Sequence, residues 1–232
     1  MDVMMDRFKH GRIGRALVFA LALSACSPAF NWREVQAGDD GYRVMLPGKP
    51  SHLQRRINLD GLDVEMSMRA VEVEGMSFAV GSIRLPMGAL GVPGLPGAAA
   101  GAQGAQTSRH TDALAASQRE RALAAMRAQM VRNLRGVEQS AEPVEVPIVD
   151  GAGQVRGRVD GWQVEAHGPG PAAKAASPGS GAAGETQRDA RRIEMLARFA
   201  GRGDRVWQAV VIGPLIDREQ AKVFVESLRV IE

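Results

Sequence analysis

The sequence predicts an α+β fold: a mostly antiparallel β-sheet of about seven or eight strands packed against a long central helix and a C-terminal helix, with two disordered Gly/Ala/Pro-rich loops. Three observations carry this expectation. Runs of alternating apolar and polar residues, bounded by Gly-containing turns, fill residues 41–85. An Ala-rich stretch at 111–134 repeats its large apolar residues at helical spacing. Further strand-like runs follow, and the chain then reaches an amphipathic segment at 217–228.

Taken in order, residues 41–46 read as a strand stopped by Pro47-Gly48. Residues 53–59 and 62–71 flank Asp60-Gly61, a dipeptide suited to a tight β-hairpin turn. In the second arm Val64, Met66 and Met68 alternate with Asp63, Glu65, Ser67 and Arg69, which predicts one buried and one wet face. Glu74-Gly75 turns the chain into a fourth strand at 76–85. The helix at 111–134 has Thr111 or Asp112 to cap it, Leu123, Met126, Met130 and Leu134 on one face, and Gly136 as a stop. Strands resume at 144–149, 154–166, 191–200 and 205–212. The last is apolar on both faces, Trp207, Ala209 and Val211 against Val206, Val210 and Ile212, and belongs in the middle of the sheet. Asp217 to Gln220 resembles a capping box, and Ala221, Phe224, Val225 and Leu228 give the helix after it an apolar stripe.

Residues 87–106 and 168–185 hold almost no large side chains, so they bury too little to offset the entropy of ordering and read as flexible loops. The Gly-x-y triplets of the first lose register at Ala100, which excludes a collagen-like segment. The second contains Gly179, Gly181 and Gly184 in dinucleotide-site spacing, but no strand precedes them and no apolar helix pattern follows.

The N-terminus is ordered as a secretory signal: basic Arg7, Lys9, Arg12 and Arg15, an apolar run at 16–23, then small residues. That run reaches only about 12 Å as a helix, too short to span a bilayer. It ends in Leu23-Ser24-Ala25-Cys26, which resembles the lipobox of bacterial lipoproteins, and Cys26 is the only cysteine. The resemblance implies a signal peptide over 1–25, cleavage between Ala25 and Cys26, and acylation of Cys26, whose several chains would hold the protein durably on a membrane. In that family an aspartate after the cysteine retains the protein at the inner membrane; Ser27 here implies the outer membrane, facing the periplasm. Residues 26–40 then serve as a tether and 41–232 as a single domain. Trp32 and Phe30, just past the anchor, either rest at the bilayer interface or begin the fold.

A second resemblance joins Gly-Tyr-Arg-Val-Met-Leu-Pro-Gly-Lys-Pro at 41–50 to Trp-Gln-Ala-Val-Val-Ile-Gly-Pro at 207–214 and Phe-Val-Glu-Ser-Leu at 224–228. Together these are similar to uncharacterised bacterial envelope lipoproteins with a PsbP/Mog1-like α/β/α sandwich. The resemblance implies helices covering an antiparallel sheet, and neither an enzymatic activity nor a functional residue.

Composition excludes several classes. The formal charge is +3, of which +2 precedes Cys26, so the rest of the chain has no basic excess with which to hold nucleic acid. With Cys26 acylated, no thiol remains for a disulfide or a nucleophile. His52, His110 and His167 lack metal-ligand spacing and read as solvated. Ser180 has no nucleophile-elbow pattern. Arg202-Gly203-Asp204 spells an adhesion tripeptide but reads as a turn, and the arginines at 188, 191, 192 and 198 read as a mixed solvated face. No catalytic residue, cofactor or metal is expected. The chain reads as a non-catalytic, lipid-anchored envelope component whose partners are the membrane and another envelope protein. The alternative is a binding module for a small apolar or lipid ligand, lined by methionines among Met45, Met66, Met68, Met76, Met126 and Met130 between the long helix and the sheet.

Overall fold

The computed structural model describes residues 29–86, 104–170 and 192–232, with side chains of the long helix described from residue 113. The chain divides into two units, Met1–Asn31 and Trp32–Glu232, and the fold below is that of the second. Ala25 and Cys26, with residues 87–103 and 171–185 of the two Gly-rich segments, lie outside the described residues.

Among the described residues ten strands form one sheet: β1 (Arg33–Ala37), β2 (Tyr42–Leu46), β3 (Ser51–Leu59), β4 (Leu62–Val73), β5 (Met76–Arg84), β6 (Val137–Val149), β7 (Val155–Gly168), β8 (Ile193–Arg202), β9 (Arg205–Gly213) and β10 (Arg229–Ile231). Helix α1 (Gly104–Asn133) precedes β6, and α2 (Arg218–Glu226) precedes β10. The order is β1-β2-β10-β6-β7-β8-β9-β5-β4-β3, mixed because β10 runs parallel to β6. The expected hairpin is present, with Asp60 at φ 53 and Gly61 at φ 87, and Glu74-Gly75 repeats that geometry. As its composition predicts, β9 lies inside the sheet, between β8 and β5.

The strand count of seven or eight is corrected to ten. The two unforeseen strands give little pattern to read: β1 is mostly exposed, and β10 has three residues. Residues 33–37, read as tether, are therefore part of the sheet. Strand β6 begins at Val137 rather than 144 and carries Pro143 and Pro147. These prolines are tolerated because β10 pairs with β6 only at Ile148 and Val149, leaving the earlier residues without a neighbour on that side. At the rims of the Gly-rich segments, residues 104–106 are helical and Gly168 ends β7. Helix α1 thus starts well before Thr111 and Asp112, which lie inside it, and it covers one face of the sheet rather than a central position.

Alternation along the strands divides the core in two. On one face Met126 and Ala122 of α1, with Leu134 just past its end, pack on Val164, Ala166, Met195, Ala197, Phe199, Val206 and Val210. On the other, α2 buries Ala221, Phe224 and Val225, and Phe224 meets Phe78 edge-on with centroids 5.6 Å apart. Asp217 caps α2 by accepting from the amides of Glu219 and Gln220. Gln220 does not close the box; it accepts from Trp32 Nε1 at 3.1 Å, and Trp32 stacks edge-on against Phe78, so Trp32 begins the fold.

Helix α1 ends in a Schellman turn: the amide of Arg135 donates to Arg132 O and that of Gly136 to Val131 O. The left-handed residue is Arg135 (φ 51), not the glycine the sequence marks as the stop. Arg135→Gly is accordingly expected to raise stability by about 0.5–1 kcal/mol, read as a higher urea midpoint at unchanged slope.

Candidate functional site

The polar side of β4 that alternation predicts to be wet is partly covered. Pairing aligns Gln54 of β3, Ser67 of β4, Ser82 of β5 and Trp207 of β9 in one row across the sheet, all facing the α2 side. Four strands separate β2 from β9 in the sheet order, yet the β1–β2 turn rests on this row. The sheet therefore curls around α2, which touches β2, β8 and β9.

Asp40, in that turn, organises the contact. Its Oδ1 accepts from Ser82 Oγ at 3.0 Å, and its Oδ2 accepts from Ser67 Oγ at 3.0 Å and Arg69 Nη1 at 2.5 Å. Trp207 Nε1 donates to the Asp40 backbone carbonyl at 2.8 Å, and Arg205 donates to that of Asp39. Arg69 also donates to Tyr42 Oη at 2.8 Å and lies over the Tyr42 ring. Burial alone would raise the Asp40 carboxyl, but the hydrogen bonds from Arg69, Ser82 and Ser67 and the charge of Arg69 outweigh it and hold the group below the ordinary carboxylate range. Burial raises the Tyr42 hydroxyl. For Arg69, burial is outweighed by the hydrogen bonds to Tyr42 and Asp40, and its cation is held more firmly than usual.

His52, expected to be solvated, joins this network through Nε2 to Ser67 Oγ at 3.1 Å. A serine, a histidine and an aspartate are thus in contact, but their order opposes nucleophilic catalysis. The carboxylate can only accept, so the single Ser67 proton is directed at Asp40 and His52 must be the donor to Ser67. A working triad needs the reverse, with histidine receiving the serine proton and the carboxylate orienting the histidine. The network fastens one turn to three strands.

Beside it opens a cleft of about 580 Å³, lined by the 38–40 turn, by Gln54, Glu65 and Ser67 of β3 and β4, and by Ser82, Arg84 and Arg205 of β5 and β9. Arg84 lies 3.6 Å from Asp204. Among the described residues, the side chains of Gln54, Glu65 and Asp39 have no hydrogen-bond partner, so the cleft presents open polar groups together with the guanidinium groups of Arg84 and Arg205.

The remaining sequence candidates scatter. Ser180 and the arginines at 188 and 191 lie outside the described residues, as does the side chain of His110. His167 is half-buried with Nδ1 lacking a partner, and is not simply solvated. Arg198 leaves the expected solvated face: it is buried against Gln163 Oε1 at 2.7 Å, and burial lowers its pKa. Arg202-Gly203-Asp204 makes the β8–β9 turn. Among the described residues, Met130 joins two other candidate methionines in the packed core between α1 and the sheet, and the rest lie elsewhere. Met66 and Met126 are packed in the α1-side core, Met76 is buried where its sulfur accepts from the Asp217 amide, and Met68 lies half-buried on β4. Among the described residues no cluster of three acidic, histidine or cysteine side chains could hold a metal, and no helix is long and apolar enough to cross a membrane.

The sequence reading missed Asp40, Ser67, Arg69 and Ser82. The available signal was an Asp-Asp-Gly-Tyr turn and two polar residues on an otherwise ordinary strand face, which acquire a role only when the sheet curls. No family model matches the chain, and no curated protein matches its sequence.

Proposed function

We propose that this protein is a lipid-anchored component of the cell envelope that works by binding another envelope protein, without catalysis, and that the cleft beside Asp40 is its contact site. The observation that carries the binding reading is the state of the polar groups: Asp40, Ser67, Ser82 and Arg69 satisfy one another, while Glu65, Gln54 and Asp39 at the rim remain open. A rigid base with unspent polar groups above it suits recognition. The lipobox-like Leu23-Ser24-Ala25-Cys26 supports the anchor at Cys26, with its periplasmic, outer-membrane side following from Ser27. The α/β/α likeness is supported by helices on opposite faces of the sheet. The alternative apolar-ligand reading is disfavoured because the methionines are spent on packing.

The test joins mass to proximity. Membrane-extracted protein is expected to have the mass of residues 26–232 plus acyl chains, and Cys26→Ala is expected to abolish that mass. A photo-crosslinker at Glu65 should capture one envelope protein that the same group at exposed Val155, outside the cleft, does not. Saturable turnover of a substrate, lost in Ser67→Ala with the fold intact, would refute the non-catalytic reading.

A further inference from the structure

Among the described residues the sheet leaves backbone edges open at β1, at β3 and along the first part of β6, and they are not alike. The free part of β6 is blunted by Pro143 and Pro147 and by register shifts in its pairing with β7. β1 has five residues and carries both Arg33 and Glu34. β3 has nine, with no proline, glycine or acid, and residues 51–56 are all exposed. It closes one end of the strand order, so among the described residues only β4 pairs with it.

The hairpin turn decides which of its groups face outward. In a two-residue hairpin the flanking residues, here Leu59 and Leu62, form a hydrogen-bonded pair, and bonded and non-bonded pairs then alternate. Ile57, Arg55 and Leu53 thus bond to β4, while Arg56, Gln54 and His52 turn their amides and carbonyls to the open side. These outward groups belong to residues whose side chains share the cleft face with Ser67, so the open edge is continuous with the candidate site.

We infer that β3 is a docking edge for an extended segment of a partner protein carrying two adjacent acidic residues, which adds to the sheet as an eleventh strand. Main-chain hydrogen bonds from residues 52, 54 and 56 supply the pairing. Arg55 and Arg56 supply the selectivity: as neighbours in a strand they project to opposite faces, and two consecutive carboxylates in an added strand do the same. Among the described residues neither arginine has an ion pair or hydrogen bond; Glu65 stands opposite Arg56 without pairing to it. Leu53, 53 % exposed on the α1 face next to Arg55, gives the added strand an apolar contact. In a second copy of this chain the antiparallel registers centred on Arg55 or Arg56 would set like charges directly opposite, which destabilises a pair, and the register centred on Gln54 would set Arg55 against Leu53 and Arg56 against His52, so that neither arginine meets a carboxylate.

This inference rests on the binding reading above, and the experiment separates the two. The full-length protein is titrated with the capped hexapeptide Thr-Val-Glu-Glu-Val-Thr and with its Lys-Lys counterpart, while the amide resonances of residues 52–58 are followed. The acidic peptide is expected to shift the amides of His52, Gln54 and Arg56 saturably, more weakly as salt rises, and the lysine peptide is not. Arg56→Pro removes one outward amide while leaving every β4 bond in place, and is expected to weaken the acidic peptide by about tenfold or more. The double variant Arg55→Glu, Arg56→Glu tests charge without a backbone change and should reverse the preference between the peptides. No saturable shift up to a few millimolar, or equal binding by a folded Arg56→Pro, overturns the inference. A partner still captured from Glu65 in that case leaves the binding reading standing. A bound peptide with no partner captured from Glu65 refutes the binding reading and leaves the edge preference.

Discussion

Asp40→Ala is expected to lower the stability of the fold by about 2–3 kcal/mol, or to reduce Tm by roughly 5–10 °C. The substitution removes one carboxylate that three side chains address at once. Ser67 and Ser82, both buried, lose their acceptor, and Arg69 keeps only Tyr42 Oη while still covered by the turn. The Asp40 side chain is 16 % exposed, which places the effect below that of breaking a fully buried pair. Removing both partners should be milder than the sum: Asp40→Ala with Arg69→Met leaves no stranded cation, and a double-mutant loss smaller than the two single losses added together checks that Arg69 acts through Asp40. Additive losses would show that Arg69 acts independently of Asp40.

The pH dependence follows from the same geometry. The Asp40 carboxyl is held below its unfolded value, so its stabilising contribution is present above the ordinary carboxylate pKa and is lost as pH falls through the lowered one. At the alkaline end, burial raises Tyr42, so the stability that depends on its neutral hydroxyl is lost as pH rises through the raised value. Asp40→Asn is expected to flatten the acid limb while leaving the alkaline limb in place, measured as urea midpoints across pH. An unchanged acid limb would remove Asp40 from the account.

The second large effect is expected at a backbone crossing. A Cβ on Gly136 would lie 2.0 Å from His167 O and 2.9 Å from Gly168 Cα, and one on Gly168 would lie 2.3 Å from Leu134 O. The end of α1 and the start of β6 thus touch the end of β7 through backbone alone, and no flexible side chain can give way. Gly136→Ala should therefore lower stability by about 2–4 kcal/mol, because the helix end or the β6–β7 pairing must move. Gly151→Ala is the internal control: nothing lies within 4 Å of its Cβ position, and a change within about 0.5 kcal/mol is expected in the same urea titration. Equal effects at the two positions would mean that the crossing can relax.

How far the sequence reaches can be judged at particular residues. The 60–61 hairpin, the interior place of β9 and the Asp217 cap were legible, because each depends on a few neighbouring residues and on backbone conformations that particular side chains favour. Helix α1 was legible as a helix but not in its start, since Ala- and Gly-rich residues carry no periodic signal. β1 and β10 were not legible: their residues pair because β2 and β6 are already in position, not because of any alternation of their own.

By itself, then, the sequence determined the α+β class, the tight turns, the two-sided apolar core strand and the amphipathic C-terminal helix, all properties of local backbone preference and of spacing along one segment. Only the tertiary structure decided that a ten-stranded sheet curls around α2 and sets the 38–41 turn on β4, β5 and β9. That curl turns Ser67 and Arg69 from a solvent face into a buried network, brings His52 to Ser67, and leaves β3 open at the rim. The physical reason is separation: Asp40 and its partners Ser67, Arg69, Ser82 and Trp207 lie 27, 29, 42 and 167 positions apart, and no local pattern encodes which distant polar groups will share a desolvated space.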